Sequence, residues 1–289
     1  MAEISARAVK ALREQTGAGM MDCKRALSEA AGDLAKAVEV LRERGLAKAG
    51  KREGRTTSEG LIAIATDGSV GGMIELGCET DFVARTDDFQ GLGRSLAEAV
   101  AADASLADVD ALLEAEVGGT SVAETIKANI AKLGENVVVK RVVRIDVPGS
   151  GLVGGYVHAG GKLGVMVGLS GADSSGLASV ARDVAMHVAA ADPSPVAVTR
   201  EGVPADLLAK EAEIYRKQAV QGGKPEKILD RIVDGKLAKF VSDICLVEQP
   251  FVKDPDKSVG DLLKEAGDVS VFAFERFKLG LSDEETSSE

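Results

Sequence analysis

Residues 60–76, GLIAIATDGSVGGMIEL, decide the fold class of this chain. Two apolar, β-branched runs flank Asp67-Gly68-Ser69, a turn signal typical of a β-hairpin. Sliding the sequence along itself by about ninety residues finds a second copy at 151–167, GLVGGYVHAGGKLGVMV. After each copy the apolar spacing changes to the 3.6-residue period of a helix. These helical segments end at 96–103 and 185–192. The sequence therefore predicts an α+β protein whose core is two related hairpin-plus-helix subdomains.

The stretch before the first copy has apolar residues at helical spacing in three short segments. Thr16-Gly17-Ala18-Gly19 ends the first predicted helix, Gly32-Asp33 separates the second from the third, and Gly45 closes the third. Residues 48–55, KAGKREGR, follow as a basic stretch typical of a flexible, solvated linker. We expect a three-helix domain with this linker over residues 1–55.

The stretch after the second copy predicts two helices that flank Gly222-Gly223-Lys224-Pro225, which together form an inserted antiparallel helical hairpin. Apolar patterning then predicts a strand over 244–252, a short helix over 258–266 and a final strand containing Val271. Residues 137–147 add a β-branched strand between the two copies. The predicted organisation after residue 55 is a core N-subdomain at 56–146, a core C-subdomain with a C-terminal module at 147–191 and 241–280, the helical hairpin at 192–240, and an acidic tail at 281–289.

Composition excludes several classes of protein. The 289 residues carry 35 Lys and Arg against 46 Asp and Glu, a net charge of −11, so nucleic acid is not an expected direct partner. The longest uncharged run, 147–161, is shorter than the ~18 apolar residues that span a bilayer. The N-terminus lacks the pattern of a signal peptide, and Cys23, Cys78 and Cys245 are scattered without metal-ligand spacing. We expect a cytoplasmic protein with no membrane segment, disulfide, metal or cofactor.

Two glycine-rich motifs suggest nucleotide binding, and their contexts argue against it. Residues 149–154 match G-x-G-x-x-G, but the chain continues as a strand rather than opening the helix that would face a pyrophosphate. Residues 16–21 lack the G-K-[ST] ending of a phosphate loop. The sequence therefore predicts no nucleotide site of either type.

A nucleophilic group could be assembled from Cys78, His187 and Asp81, because residues distant in sequence can meet in a fold. Against it, cysteine is commonly a small buried hydrophobic residue, and His187 lies between Met186 and Val188 on an apolar helix face. We favour a buried, hydrogen-bonded histidine and assign no catalytic residue. A cysteine-dependent hydrolase stays as an alternative.

The segment around Phe82 is the most informative, because the repeat supplies an internal control. The corresponding stretch of the second copy, 170–175, is SGADSS and has no aromatic residue. If the junction between hairpin and helix needed an aromatic residue for folding, both copies should carry one. Phe82 is therefore either a local core residue or, as we favour, an apolar anchor beside the Asp81 carboxylate on a protein-binding loop.

Met20-Met21-Asp22 at the glycine turn raises the same question, because flexible methionines serve both as core filler and as adaptable contact surface. A helix cannot bury two consecutive residues equally on one apolar stripe. At least one of the two methionines is therefore expected to point outward, towards a partner.

Four segments together resemble the bacterial elongation factor Ts family, guanine nucleotide exchange factors for elongation factor Tu. They are, in chain order, LREQTGAGMMDCK at 12–24, TDFV at 80–83, MHVAA at 186–190 and QPFV at 249–252. The resemblance covers nearly the whole chain and implies a ubiquitin-associated-like three-helix N-terminal domain and a hairpin of the dimerisation type. It also implies exchange without bond-making chemistry, on GDP-bound and nucleotide-free elongation factor Tu.

The resemblance also assigns roles to individual residues. It implies that a wedge dislodges Mg²⁺ from the GTPase, and that this wedge is Thr80, Asp81, Phe82 and Val83. It implies contacts with the nucleotide-binding domain of elongation factor Tu through Arg13, Met20, Met21, Asp22 and Lys24. His158 would lie near another domain of the partner. The short, acidic C-terminus departs from relatives whose helical tail contacts the partner. Homodimers or heterotetramers through the hairpin, and an adaptor that binds another partner through the N-terminal helices, stay open.

Overall fold

The computed structural model describes residues 4–171, 176–267 and 269–281. Within these ranges the chain mixes helices with antiparallel hairpins, which confirms the α+β class. It divides into two compact units. The first falls within Met1–Ala63 and Met73–Val143, and the second within Ile64–Gly72 and Arg144–Glu289.

The first unit opens with three helices, as the glycine pattern predicts. They are α1 (Ala6–Thr16), α2 (Met20–Glu29) and α3 (Leu34–Gly50). Gly17 ends α1 in the left-handed conformation with φ 66°, and the Asp33 carboxylate caps α3 by accepting a hydrogen bond from the Lys36 N–H. The core between the helices is built from Val9, Leu12, Cys23, Ala26, Leu27, Ala30 and Ala37.

The third helix is longer than predicted, and the prediction that Gly45 closes it is wrong. Gly45 is buried inside α3, where an added Cβ would lie 2.8 Å from the Cβ of Ala131. A glycine is needed there because another helix approaches, so it does not mark a helix end. The basic stretch at 48–55 is also held in place, since Arg52 donates to the Ile130 carbonyl (3.2 Å) and Asn136 to the Arg55 carbonyl (2.9 Å).

The first sheet and its helices follow. They are β1 (Glu59–Asp67), β2 (Val70–Cys78), α4 (Asp81–Ala84), α5 (Asp87–Ala102), α6 (Val109–Glu114), β3 (Glu116–Val117), β4 (Thr120–Ser121), α7 (Val122–Leu133) and β5 (Val137–Asp146). The sheet order is β1-β2-β5, so the second strand of the hairpin is central. Within β2 all residues from Gly71 to Cys78 are buried.

The second copy has the same plan in the second unit. Its elements are β6 (Gly151–Val157), β7 (Leu163–Ser170) and α8 (Leu177–Ala190). The third strand comes from the C-terminal end of the chain, and the sheet order is β10-β7-β6, with β10 spanning Ser270–Lys278. In both copies a hairpin leads to a helix, and the second hairpin strand lies in the centre of a three-stranded sheet. The residues at 172–175, part of the internal control for Phe82, lie outside the described residues.

The remainder of the second unit contains the predicted helical hairpin, α9 (Ala205–Gln221) and α10 (Leu229–Ile244). Short elements follow before β10: β8 (Pro250–Phe251), β9 (Asp254–Ser258) and α11 (Val259–Glu265). The short helix predicted over 258–266 and the final strand are thus confirmed.

The strand predicted over 244–252 is wrong. Ile244 ends α10, a 3₁₀ turn spans Leu246–Glu248, and only Pro250 and Phe251 pair as a strand. The apolar run arises because Cys245 and Leu246 are fully buried where α10 ends and the 3₁₀ turn begins. Residues 282–289, which hold most of the predicted acidic tail, lie outside the described ranges.

Candidate functional site

The segment that carries Phe82 is a single helical turn between β2 and α5. Thr80 begins α4 as its N-cap, and its hydroxyl oxygen accepts a hydrogen bond from the Val83 N–H at 3.5 Å. Val83 is only 8% exposed, whereas Phe82 is 80% exposed. The anchor is therefore on a turn of helix rather than on the predicted loop, and the inward Val83 leaves its neighbour Phe82 pointing outward.

Hydrogen bonds hold each polar atom of Thr80. The Thr80 N–H donates to Oε2 of Glu135 at 2.9 Å, and the Thr80 hydroxyl donates to Oε1 of the same carboxylate at 2.6 Å. The Cys78 thiol donates to the Thr80 carbonyl at 3.1 Å. The residue at the base of the turn is thus fixed from both sides.

Asp81 starts the turn beside Phe82 and is already paired. Its Oδ2 lies 2.7 Å from Nη2 of Arg85, four residues later on the exposed face. Exposed pairs of this spacing contribute about 0.3–0.5 kcal/mol, so a cation from a partner could replace Arg85 at little cost.

The methionine pair occupies the first turn of α2 and faces solvent. Met20 is 58% exposed and Met21 is 65% exposed, so the prediction that at least one points outward is confirmed for both. Cys23 is the first buried residue of α2, so both methionines precede the part of the helix that packs in the core. Arg13 and Lys24 are exposed, and Asp22 is paired with Arg25.

His158 follows β6 in the hairpin of the second unit and is exposed. Its Nδ1 is hydrogen-bonded to the Tyr156 hydroxyl at 2.9 Å, which holds the ring at the hairpin turn. Val157, between them, is also exposed. The structure therefore presents this predicted contact residue on a turn.

Cys78 is not suited to act as a nucleophile. It is fully buried, and burial, with a contribution from the nearby Glu135 charge, raises its pKa to about 12. A thiol with such a pKa stays protonated at neutral pH, and the thiolate is the reactive form. The hydrolase alternative loses its proposed nucleophile.

His187 is a buried, fully hydrogen-bonded residue of the second unit. Gln249 donates through Nε2 to the carbonyls of Pro193 (2.9 Å) and Asp243 (2.7 Å), so its Oε1 accepts from Nε2 of His187 at 2.9 Å. The other ring nitrogen, Nδ1, accepts from the Val252 N–H at 3.3 Å. Burial lowers the pKa of His187, and the ring is neutral and structural.

The described ranges, 4–171, 176–267 and 269–281, contain no group of three His, Cys, Asp or Glu side chains arranged for a metal ion. Over the same ranges no helix is both long and apolar enough to cross a membrane. Sequence reasoning missed Glu135, because its side chain reaches a residue 55 positions away. The only signal was two polar residues, Glu135-Asn136, between a helix and a strand.

An exposed aromatic residue on an anchored turn, with an exposed methionine pair on the same compact unit, is typical of a protein-binding surface. The class that the site defines is therefore a partner-binding protein. Comparison with known proteins specifies the family. Residues 79–281 match the family described as Elongation factor TS.

Relatives from several bacteria extend the match to the N-terminal helices. Elongation factor Ts of Thioalkalivibrio sulfidiphilus is 46% identical over 279 residues, 96% of this chain and 92% of the relative. That of Chlorobium phaeobacteroides is 45% identical over 291 residues, 97% of this chain and all of the relative. That of Alkalilimnicola ehrlichii is 47% identical over 279 residues. The chain belongs to the elongation factor Ts family.

Proposed function

We propose that the chain is a guanine nucleotide exchange factor for elongation factor Tu in translation elongation. It binds the GDP-bound GTPase, displaces Mg²⁺ and promotes GDP release, so that GTP can bind to the empty site. The observation that carries this proposal is Phe82, four-fifths exposed on a turn where Val83 is buried and the N-cap Thr80 is hydrogen-bonded to Glu135. Membership of the family supports the choice of partner.

The proposed mechanism is thermodynamic linkage and needs no covalent step. A protein that binds the empty GTPase more tightly than the nucleotide-bound GTPase must weaken nucleotide binding by the same factor. A nanomolar Kd corresponds to about 12 kcal/mol, and a divalent cation that bridges phosphates to the protein supplies part of this. Insertion of Phe82 and loss of the cation would reduce both contributions.

The residues of the proposed wedge have different roles, which follow from how deeply each side chain is buried. Phe82 enters the partner, Asp81 offers a carboxylate at its base, and Thr80 and Val83 hold the turn on the protein. Val83 is buried and the polar atoms of Thr80 are internally bonded, so these two act by support. Docking is completed by the α1–α2 turn, with Arg13, Met20, Met21, Asp22 and Lys24, and by His158.

The domain organisation is part of the same proposal. The first three helices would act as a ubiquitin-associated-like docking domain, and the two hairpin-plus-helix copies as the core. The α9–α10 hairpin would serve for homodimers or heterotetramers. Ile214, Val220 and Ile228 are exposed apolar residues on or beside its helices, which supports an interaction role.

The direct test is release of a fluorescent GDP analogue from elongation factor Tu, followed by stopped flow with excess unlabelled GDP. We expect the release rate to increase with the concentration of this chain until it saturates. Excess Mg²⁺ should reduce this acceleration. The nucleotide itself should be recovered unhydrolysed by chromatography. A release rate that does not change at saturating protein contradicts the proposal.

A further inference from the structure

We infer that Glu135 is the positioning residue of the wedge, holding the α4 turn so that Phe82 points outward. The inference rests on the proposed function for its consequence in exchange. Its structural half, that Glu135 orders residue 82, can be tested without the partner.

The geometry of α4 explains why an outside residue is needed. In a capping box, the side chain of the third helical residue accepts the N–H of the N-cap residue. The α11 helix has this complete local arrangement, with Ser258 as N-cap and Asp261 as acceptor. In α4 the third residue is Val83, which has no acceptor. The Glu135 carboxylate, from the loop after α7, takes that role for the Thr80 N–H.

Glu135 also acts on the hydroxyl half of the cap. The Thr80 hydroxyl donates to the second carboxylate oxygen, which directs its own lone pairs towards the Val83 N–H. One carboxylate therefore serves both groups of the N-cap residue, and hydrogen bonds to a charged acceptor are the stronger kind.

A reciprocal contact strengthens the same junction. Glu79, the residue before Thr80, accepts the N–H of Asn136, the residue after Glu135, at 2.7 Å. Two neighbouring residues after β2 are thus joined to two neighbouring residues before β5, which are adjacent strands. Of these two glutamate contacts, that of Glu135 is made to the α4 N-cap residue and that of Glu79 to Asn136, so Glu79 provides a matched control in the same network.

The partner-free test uses the absence of tryptophan from the chain. A Phe82→Trp protein contains a single tryptophan, so its time-resolved fluorescence anisotropy reports the order of the turn. Adding Glu135→Ala should increase the fast, local depolarisation at least twofold. Glu135→Gln, which keeps one acceptor, should give an intermediate value, and Glu79→Gln should change it little. Equal anisotropy decays in all of these proteins overturn the inference.

The exchange test is a double-mutant cycle on release of the fluorescent GDP analogue. Glu135→Ala should slow exchange about tenfold, the equivalent of about 1.4 kcal/mol, when Phe82 is present. It should have less than a twofold effect in the Phe82→Ala background, because there is no anchor left to position. Equal slowing in both backgrounds would show a merely structural role and overturn the inference.

The two proposals fail in different ways. If Phe82→Ala does not slow release, the wedge itself is wrong, whereas the anisotropy experiment still decides whether Glu135 orders the turn. Thermal unfolding of each variant checks folding. Should Glu135→Ala fail to fold, Glu135→Gln carries both measurements, with an expected slowing of about threefold.

Discussion

The two hairpin-plus-helix copies share a scaffold and differ in where they carry an exposed functional group. In the first copy, a short turn joins β1 to β2, and Phe82 lies on α4, just beyond the far end of β2. In the second copy, the hairpin turn itself is longer and carries His158, which is hydrogen-bonded to Tyr156 near the end of β6. Both copies have three strands and a helix, and in each the central strand, β2 or β7, is the most deeply buried. The comparison teaches that the repeated plan is architectural and that the differences between copies mark candidate contact residues.

The largest effect expected from this comparison is that of Phe82→Ala on exchange. Burial of a phenylalanine side chain contributes about 1.5–3 kcal/mol, so loss of this anchor should slow GDP release by roughly 10- to 200-fold. Stability should hardly change, because Phe82 is exposed. Stopped-flow release and chemical denaturation measure the two quantities.

Phe89 provides the matched control, since it is the same residue type in α5 and is fully buried. Phe89→Ala should lower the free energy of unfolding by about 3–5 kcal/mol. If Phe82→Ala destabilises the protein as much as Phe89→Ala, the distinction between anchor and scaffold in the first copy fails.

The pH dependence of stability tests the scaffold of the second copy. Because the folded pKa of His187 is lowered, its neutral form is favoured in the fold, and its contribution is fully present above the unfolded pKa near 6.5. This contribution is lost progressively as the pH falls from there through the lowered folded pKa. His187→Gln should therefore lose stability relative to the parent at pH 8, with the difference narrowing by pH 5. Denaturation at both pH values measures it, and a constant difference would contradict a buried neutral ring.

His158→Ala tests whether the exposed turn of the second copy contacts the partner. As an exposed contact whose ring is hydrogen-bonded to Tyr156, it should change the apparent Kd for elongation factor Tu by about threefold, the size of a modest polar contact. Titration with labelled partner measures the change. Tyr156→Phe, which removes only the hydroxyl group, should have a smaller effect, and a larger one would place the role on Tyr156.

The smallest effect is expected for Cys78→Ala, because the thiol is buried, protonated and adjacent to the wedge without being part of it. Exchange should stay within about twofold of the parent, with a small loss of stability from the missing volume. A loss of several hundredfold in a folded variant would instead restore the cysteine-dependent chemistry that its burial argues against.

Local signals explain which elements could be predicted from sequence. Alternating runs, the Asp-Gly turn, Gly17 after α1 and the Asp33 cap depend on residues close in sequence, so both hairpins and the first helices were predictable. The exposure of Phe82 was predictable because the repeat supplied a control within the chain.

The errors share a different cause, which is contact between distant parts of the sequence. In the sequence Gly45 resembles a helix stop, but in the fold it packs against Ala131. Cys245 and Leu246 resemble part of a strand, but they are apolar because the fold buries them. The hydrogen bonds between Glu135 and Thr80 join positions 55 residues apart. A polar residue after a helix gives no sign of which distant backbone it will bond.

The 55-residue separation between Thr80 and Glu135 affects when the α4 turn can form during synthesis. Until residue 135 has been synthesised, the Thr80 N–H at the N-cap of α4 lacks the acceptor that Glu135 provides. Closing so long a loop also costs entropy, whereas a local capping box avoids this cost. During synthesis at about 5–20 residues per second, the segment that carries Phe82 emerges several seconds before the carboxylate that holds it. The contact turn is therefore expected to acquire its shape late, after the strand that follows Glu135 has joined the sheet. In a nascent chain that ends before this point, Phe82 would be exposed, but the α4 turn would not yet hold its side chain in a fixed direction.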